Sequence, residues 1–345
     1  MTKTVKVGNL LIGGNNAVSV QSMLNIKTDK VEKVCEQITA LQNAGCDIVR
    51  VSVLDESDAF AIKQIVNRIS IPLVADVHFN HKLALIALDN GASKIRINPG
   101  NIGCEQNVAE VARALKANGA CCRVGSNSGS VEKQYLQKYG LNEISLAESA
   151  LEKAKMLEKY GFSDIVLSAK ASSVPLTVKT YRYLSEKCDY PLHVGVTEAG
   201  TLKSGLIKGS AGIGSLLLDG IGDTIRYSLS ADPIEEVKAG VKLLRSLGLK
   251  KGGVEVISCP TCGRTQYDCI SLAEQVEELT ANINKPLKIA VMGCVVNGPG
   301  EARECDIGIA GNGENCVIFK KGEVILNVAT KNAIKVFIEE IKKLI

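Results

Sequence analysis

One repeated pattern governs the sequence from residue 18 to about residue 230. An amphipathic helix is followed by a glycine near its end and then by a short, β-rich apolar run. Glycine at a helix C-terminus provides the left-handed cap, and an apolar run after it is typical of a strand buried in a parallel sheet. The clearest instances are LQNAGCDIVRVSV (41–53), LDNGASKIRINPG (88–100), LKANGACCRVGSN (115–127) and EKYGFSDIVLSAK (158–170).

Four further segments complete a set of eight strands. Two of them, 69–79 and 188–200, enter their strands through proline, and the others are AVSVQSM (17–23) and DTIRYSL (223–229). Eight strands that alternate with helices over roughly 250 residues predict a (β/α)₈ TIM-like barrel. A doubly wound open sheet is the alternative, but no G-x-G-x-x-G follows an early strand, and polar residues recur at the strand ends.

The pattern changes after Lys250-Lys251-Gly252-Gly253, which predicts a domain boundary. We expect a barrel over residues 1–250 and a small α+β domain over residues 251–345. The second domain is predicted to contain a strand, a cysteine loop and a helix, then four strands and a closing helix. The predicted fold is therefore a TIM-like barrel followed by a small α+β domain.

Composition excludes several classes of function. The net charge of +4 is too small to indicate nucleic acid or an anionic membrane as partner, and the chain has no Trp for stacking bases. No apolar run is long enough to span a bilayer, and the first residues, MTKTVKVGNLLIGG, do not form a signal peptide, so we expect a cytoplasmic protein. In that reducing compartment the twelve cysteines are expected to be thiols, metal ligands or catalytic groups.

Basic and polar residues follow the predicted strands, at the end of a barrel where active sites lie. Four arginines and a lysine would repel one another there unless an anion neutralised them, and a diphosphate matches this chemistry. For any one arginine, a salt bridge at the rim is the alternative explanation. Asp76, His78 and Glu198 are predicted to transfer protons or to orient the substrate. The residues at the strand ends are Arg50, Ser52, Asp76, His78, Arg96, Asn98, Arg123, Asn127, Lys170, Glu198, Arg226 and Ser228.

Three cysteines of the second domain have a spacing typical of metal sites: Cys259-x₂-Cys262, and Cys294 further on. A structural zinc site uses four protein ligands, so a zinc ribbon would need Cys305 or Cys316 as the fourth. An iron–sulfur cluster is also held by thiolates.

Three thiolates on a [4Fe–4S] cluster would leave the fourth iron for an oxygen ligand. Glu301 lies six residues after Cys294, across a Gly-Pro-Gly turn, and is a candidate for that ligand. Asn297 would lie beside it. The glycine-rich loop would then serve to bring Cys294 and Glu301 to one cluster.

Several motifs together resemble the bacterial 4-hydroxy-3-methylbut-2-enyl diphosphate synthases, the IspG/GcpE family. They are SCPTCGR, GCVVNGPGEA, VTEAG, GIGDTIRYSLSADP and ADVHFNHKLAL, and the decapeptide GCVVNGPGEA is highly specific. The resemblance implies that Cys259, Cys262, Cys294 and Glu301 hold a [4Fe–4S] cluster, and that Glu198 and Asn297 are catalytic together with Glu301. The substrate-binding residues that it implies are Arg50, Asp76, His78, Arg96, Asn98, Arg123, Asn127, Lys170, Arg226 and Ser228.

The resemblance also implies an activity and partners. The activity is the reductive ring opening and dehydroxylation of 2-C-methyl-D-erythritol 2,4-cyclodiphosphate in non-mevalonate isoprenoid biosynthesis. Flavodoxin or ferredoxin would deliver the electrons, and the enzyme would be a homodimer. The chain departs from the family pattern at QSMLNIKT, at VSVLDE, at Ser126 and at Cys305, and none of these departures removes a proposed ligand.

Two other classes of function remain open from the residues alone. A metal-independent barrel enzyme, such as a pterin-type condensing synthase, would explain the basic strand ends but not the cysteines. A zinc-ribbon binding module would explain the cysteines but not the barrel. Iron and acid-labile sulfide assays separate these classes from a cluster enzyme.

Overall fold

The computed structural model describes residues 1–281, 283–296, 298 and 302–345. Within it the chain forms two compact units, Met1–Lys250 and Lys251–Ile345. None of the described helices combines the length and the apolar character that a membrane span requires.

The first unit is built around eight parallel strands. A short antiparallel hairpin, β1 (Val5–Val7) and β2 (Leu10–Ile12), precedes them. The eight strands are β3 (Ser19–Met23), β4 (Ile48–Val53), β5 (Leu73–Val77), β6 (Lys94–Arg96), β7 (Cys121–Asn127), β8 (Ile165–Lys170), β9 (His193–Val194) and β10 (Thr224–Ile225). They pair in the order β8-β7-β6-β5-β4-β3-β10-β9, and a bridge between Leu167 and Leu192 joins the two ends. The predicted (β/α)₈ barrel is confirmed.

Helices connect the strands and cover the outside of the barrel. Glycine follows seven of them in the left-handed conformation, as at Gly45 and Gly91, with φ of 99° and 96°. These two glycines turn the chain from helix back into strand, as the repeat predicts. The helices are α1 (Val31–Asn43), α2 (Glu56–Val66), α3 (His81–Asp89), α4 (Glu105–Ala117), α5 (Lys133–Tyr139), α6 (Glu143–Glu158), α7 (Val174–Lys187), α8 (Leu202–Leu218) and α9 (Pro233–Ser246).

Alternate residues of each strand face the helices or the barrel interior. In β4, for example, Val49, Val51 and Val53 belong to the core shared with the helices. The N-terminal end of the barrel is closed by the hairpin, which the sequence analysis did not predict. This floor is an apolar cluster of Val5, Val7, Ile12, Ile48, Val74, Cys121 and Val166.

Over its described residues, the second unit is a five-stranded sheet with two helices. Strands pair in the order β11-β12-β13-β14-β15, the first three parallel and the last three antiparallel. Because β11 and β12 are parallel, the loops after them lie at the same edge of the sheet. The elements are β11 (Val254–Ser258), α10 (Cys269–Thr280), β12 (Leu287–Met292), β13 (Ile307–Asn312), β14 (Asn315–Lys320), β15 (Glu323–Ala329) and α11 (Thr330–Lys342).

Candidate active site

A basic cavity of about 130 Å³ opens at the carboxyl ends of the barrel strands. The lining residues come from six of the strands or the loops after them, so the barrel brings together side chains that are far apart in sequence. Seven of them are residues that the sequence analysis proposed, whereas Gly125, Ser168 and Thr197 were not proposed. The lining is formed by Arg50, Arg96, Arg123, Gly125, Asn127, Ser168, Lys170, Thr197, Arg226 and Ser228.

Asp76 is buried next to this cavity and binds two of its arginines. Its Oδ2 accepts a hydrogen bond from Arg50 Nη2 at 2.9 Å, and its Oδ1 accepts one from Arg96 Nη1 at 3.2 Å. Burial by itself raises the pKa of Asp76, but Arg50, His78 and Arg96 together hold it well below its usual range. Asp76 is therefore an ionised counter-ion that orients arginines.

His78 lies at the rim of the cavity beside Arg96. Its Nε2 is 2.7 Å from Arg96 Nη1. The same nitrogen is 3.5 Å from Asp76 Oδ1, so the ring lies between a carboxylate and a guanidinium.

The remaining cations of the cavity have too few counter-ions. Arg123 and Lys170 are buried, and Arg123 Nη1 has no hydrogen-bond partner among the described residues. Burial, together with Arg123 and Arg226, holds the pKa of Lys170 well below its usual range. Arg226 faces the buried carboxylate of Glu236 at 3.6 Å, and burial raises the pKa of Glu236.

Among the described residues, the five cationic side chains that line this cavity pair with two buried carboxylates only, those of Asp76 and Glu236. Glu236 could not be predicted from the sequence pattern because it lies on α9, and only the folded chain brings it close to the site. The excess of buried positive charge predicts a ligand with at least two negative charges.

Two further predicted residues take positions outside the cavity lining. The side-chain oxygen of Asn98 accepts a hydrogen bond from the backbone N–H of Gly100 at 3.2 Å, which fixes the turn after β6. Glu198 lies in the loop after β9, is exposed, and has φ of 52°. This left-handed conformation is unfavourable by roughly 1 kcal/mol for a residue with a side chain, and such strain is often found at functional sites.

The cysteine loop of the second unit is held against the segment that carries Cys294. The backbone N–H of Cys259 donates to Val291 O at 3.3 Å, and the Cys259 sulfur accepts from the Gly293 N–H at 3.1 Å. The Gln266 N–H donates to Gly293 O at 3.1 Å. The end of β11 and the end of β12 are therefore joined directly around Cys259 and Cys294.

The thiol set fits an iron–sulfur cluster. Cys262 is exposed, and the backbone N–H of Arg264, followed by its guanidinium, lowers the pKa of the Cys262 thiol, which favours the thiolate that a metal requires. Asn297 and Glu301 lie outside the described residues. Within the described ranges, no three His, Cys, Asp or Glu side chains already form a closed metal cage.

A fourth thiol, which the spacing of the cysteines does not indicate, lies beside these cysteines. The sulfur of Cys269 donates to Val291 O at 3.5 Å, the same carbonyl that accepts from the Cys259 N–H. Cys305 instead packs in the apolar cluster with Ala290 and Met292, and Cys316 lies 3.9 Å from the Thr330 hydroxyl. Cys259 packs against both apolar clusters, the one that contains Cys305 and the one that contains Cys316, so these contacts do not single out one fourth zinc ligand.

Solved structures that resemble the chain have the same barrel. A dihydropteroate synthase from Xanthomonas albilineans in complex with 7,8-dihydropteroate has a TM-score of 0.50 at 13% identity and covers 71% of this chain and 97% of its own. A truncated 3-deoxy-D-arabino-heptulosonate 7-phosphate synthase from Thermotoga maritima has a TM-score of 0.54 at 14% identity, with 72% and 94% covered. At these identities the likeness concerns the fold alone.

Sequence comparison is more specific. Residues 2–241 match the GcpE TIM-barrel domain, and residues 255–343 match the GcpE protein C-terminal domain. Two relatives are named 4-hydroxy-3-methylbut-2-en-1-yl diphosphate synthase (flavodoxin). The relative from Caldanaerobacter subterraneus subsp. tengcongensis is 56% identical, and the one from Clostridium perfringens is 54% identical; each match spans 100% of this chain and 98% of the relative. The predicted family is thereby confirmed, and the chain belongs to the GcpE family.

Proposed function

We propose that this protein is a 4-hydroxy-3-methylbut-2-enyl diphosphate synthase of the non-mevalonate isoprenoid pathway. It opens the ring of 2-C-methyl-D-erythritol 2,4-cyclodiphosphate and removes a hydroxyl group, giving (E)-4-hydroxy-3-methylbut-2-enyl diphosphate. The names of the full-length relatives support this activity. The single structural observation that carries it is the set of five cations facing two carboxylates at the barrel mouth.

The charge balance of the reaction suits this site. Two electrons and one proton enter, a ring carbon–oxygen bond breaks, and one hydroxyl leaves as water. The diphosphate gains one negative charge as the ring opens. Arg50, Arg96 and Arg123 would hold the diphosphate through their planar donors. Their electrostatic attraction to the developing negative charge is stronger in a site that excludes water.

The remaining site residues have positioning or proton-transfer roles in this proposal. Asp76 keeps Arg50 and Arg96 in place. Lys170, Asn127 and Ser228 contact the diphosphate or the sugar-derived carbons, with Asn98 and His78 at the rim. Glu198 assists protonation of the departing hydroxyl.

The second unit would hold the cofactor. Cys259, Cys262 and Cys294, with Glu301, would ligate a [4Fe–4S] cluster, and Asn297 would lie beside it. When bound, such a cluster supplies the two electrons one at a time. The protein supplies ligand position and electrostatic field. We therefore assign substrate binding to residues 1–250 and cluster binding to residues 251–345.

Partners follow from the same chemistry. Flavodoxin is the donor in the names of the relatives, and ferredoxin is the alternative small carrier. We propose that the enzyme is a homodimer, as its resemblance to the family implies, and that it works in the cytoplasm, where the thiolate ligands stay reduced.

The proposed activity is tested by turnover. The cluster-loaded enzyme is incubated anaerobically with the cyclic diphosphate and chemically reduced flavodoxin, and the phosphorus NMR spectrum is followed. Formation of the linear diphosphate supports the proposal. A cluster-loaded, reducible enzyme that leaves the cyclic diphosphate unchanged would exclude it, and a zinc-loaded protein without sulfide would favour a structural role for the cysteines.

A further inference from the structure

A second polar region lies inside the barrel, below the cavity described above. By the strand register, Gln21, Val74, Arg123 and His193 from alternate strands form one interior layer, as expected for a (β/α)₈ barrel. The layer on its N-terminal side consists of Ile48, Lys94, Val166 and Thr224, which come from the other four strands.

Polar groups in these two layers lack partners although they are fully buried. Lys94 and His193 are 0% exposed and Gln21 is 1% exposed. In the part of the chain that the structure describes, no hydrogen-bond partner reaches Lys94 Nζ, either ring nitrogen of His193, or either amide atom of Gln21. Arg123 Nη1 of the same layer also has no hydrogen-bond partner within the described ranges. Unpaired buried polar groups are rare in native proteins, and each points to a bound water or ion.

Apolar and ion-paired residues lie on either side of this region. On its N-terminal side, Val5 and Ile12 of the hairpin cluster with Ile48 and Val166 of the lower layer. Above it lies the ion-paired layer in which Asp76 binds Arg50 and Arg96. Bulk water therefore does not satisfy these groups.

The region has a surplus of positive charge and of hydrogen-bond donors. Burial lowers the pKa of Lys94 to about 8. Arg123 and Arg50 add to this decrease, and Cys121 opposes it. Lys94 is thus still mainly cationic at neutral pH. Burial also holds the pKa of His193 well below its usual range, so that its ring is neutral. An ammonium buried without a counter-ion costs several kcal/mol.

We propose that the barrel encloses a small monovalent anion, chloride under cellular conditions, bound to Lys94 and to donors of Gln21 and His193. The other residues of the two layers indicate that the bound anion is monovalent and consists of a single atom. Ile48, Val74 and Val166 are bulky and apolar, so they leave no polar ligands for the outer oxygens of sulfate or phosphate. This site is separate from the diphosphate position, and the proposal stands whichever diphosphate the mouth accepts.

The direct test is crystallographic and uses the full-length protein. Crystals grown in sodium bromide instead of chloride are measured at the bromine absorption edge. The proposal predicts an anomalous peak within hydrogen-bonding distance of Lys94 Nζ that persists when inorganic pyrophosphate is added. Density for water alone, an adventitious ion only at the arginine mouth, or a bromide that pyrophosphate removes would overturn it.

A solution test uses thermal stability at constant ionic strength, with chloride exchanged for the larger anion gluconate. We expect the melting temperature to rise by a few degrees per tenfold increase in chloride, since the anion binds only the folded state. The Lys94→Met variant should lose this dependence, whereas Lys63→Met, which removes an exposed lysine of α2, should keep it. If Lys94→Met does not fold, Lys94→Gln replaces it. A wild-type melting temperature that is independent of chloride would contradict the proposal.

Discussion

Replacing Asp76 by Asn tests whether the substrate cavity depends on a buried counter-ion. The variant keeps the shape of the side chain and one acceptor oxygen but removes the negative charge between Arg50 and Arg96. The side chains of Asp76 and Arg50 are 5% and 10% exposed, so solvent offers little compensation.

The expected loss of stability is large. Removing one partner of a buried ion pair typically costs about 3–5 kcal/mol, because the other charge stays buried without a partner. Because the Asn side chain keeps one acceptor oxygen, we expect Asp76→Asn to lower the free energy of unfolding by about 3 kcal/mol, the lower end of this range. The matched control is Asp29→Asn, which breaks the partly exposed pair with Lys27 and should change stability by less than about 1 kcal/mol.

The contribution of Asp76 to stability should depend on pH in a definite direction. The pKa of Asp76 is lower in the folded protein than in the unfolded chain, so its contribution is present above the unfolded pKa of about 3.9 and is lost as the pH falls towards the folded value. The difference between wild type and Asp76→Asn should therefore be constant from pH 6 to pH 8. Below about pH 4 it should shrink by about 1.4 kcal/mol per pH unit.

Urea denaturation of wild type and both variants measures these differences. Hydrogen exchange in β4 and β5 assigns the loss to the barrel rather than to the second unit. If Asp76→Asn is destabilised by no more than Asp29→Asn, or if the difference grows as the pH falls, the counter-ion role of Asp76 is refuted.

Three further predictions concern the proposed activity. Gly195→Ala would place a methyl group 2.4 Å from Arg226 O and 2.8 Å from Lys170 Nζ, so steady-state kinetics should show KM raised at least about tenfold. Glu198→Asn fits a left-handed backbone better than Glu, so its melting temperature should match or exceed that of the wild type while kcat falls about 100-fold or more; unchanged kcat would exclude Glu198 from proton transfer. Cys294→Ser should contain neither iron nor sulfide after reconstitution, whereas Cys316→Ser should retain both, and equal iron contents in the two variants would remove Cys294 from the ligand set.

The barrel was predictable because its evidence is local. Glycine after helices such as α1 and α3, and an apolar run after each glycine, repeat often enough to specify parallel strands. The hairpin was missed because β1 and β2 have only three residues each, too few for a recognisable alternation. The hairpin nevertheless closes the N-terminal end of the barrel, and it does so through apolar packing that its short sequence does not reveal.

The site was predictable where the residue belongs to a strand end and unpredictable where it approaches through space. Arg50 and Arg123 follow from their place in the repeat, and the cavity contains both. Glu236 on α9 and Cys269 at the start of α10 reach the sites only in the folded chain. The unpaired state of Lys94 depends on neighbours from several strands, which no single segment reveals.

Turnover with a chemical reductant tests the central claim most directly. The cluster-loaded chain is mixed anaerobically with the cyclic diphosphate and excess dithionite, which supplies both electrons, without any protein donor. We predict that the linear diphosphate forms with one molecule of product for every two electrons consumed, and that Cys294→Ser forms none. Full reduction of the cluster with no linear diphosphate, or equal product from Cys294→Ser, would contradict it.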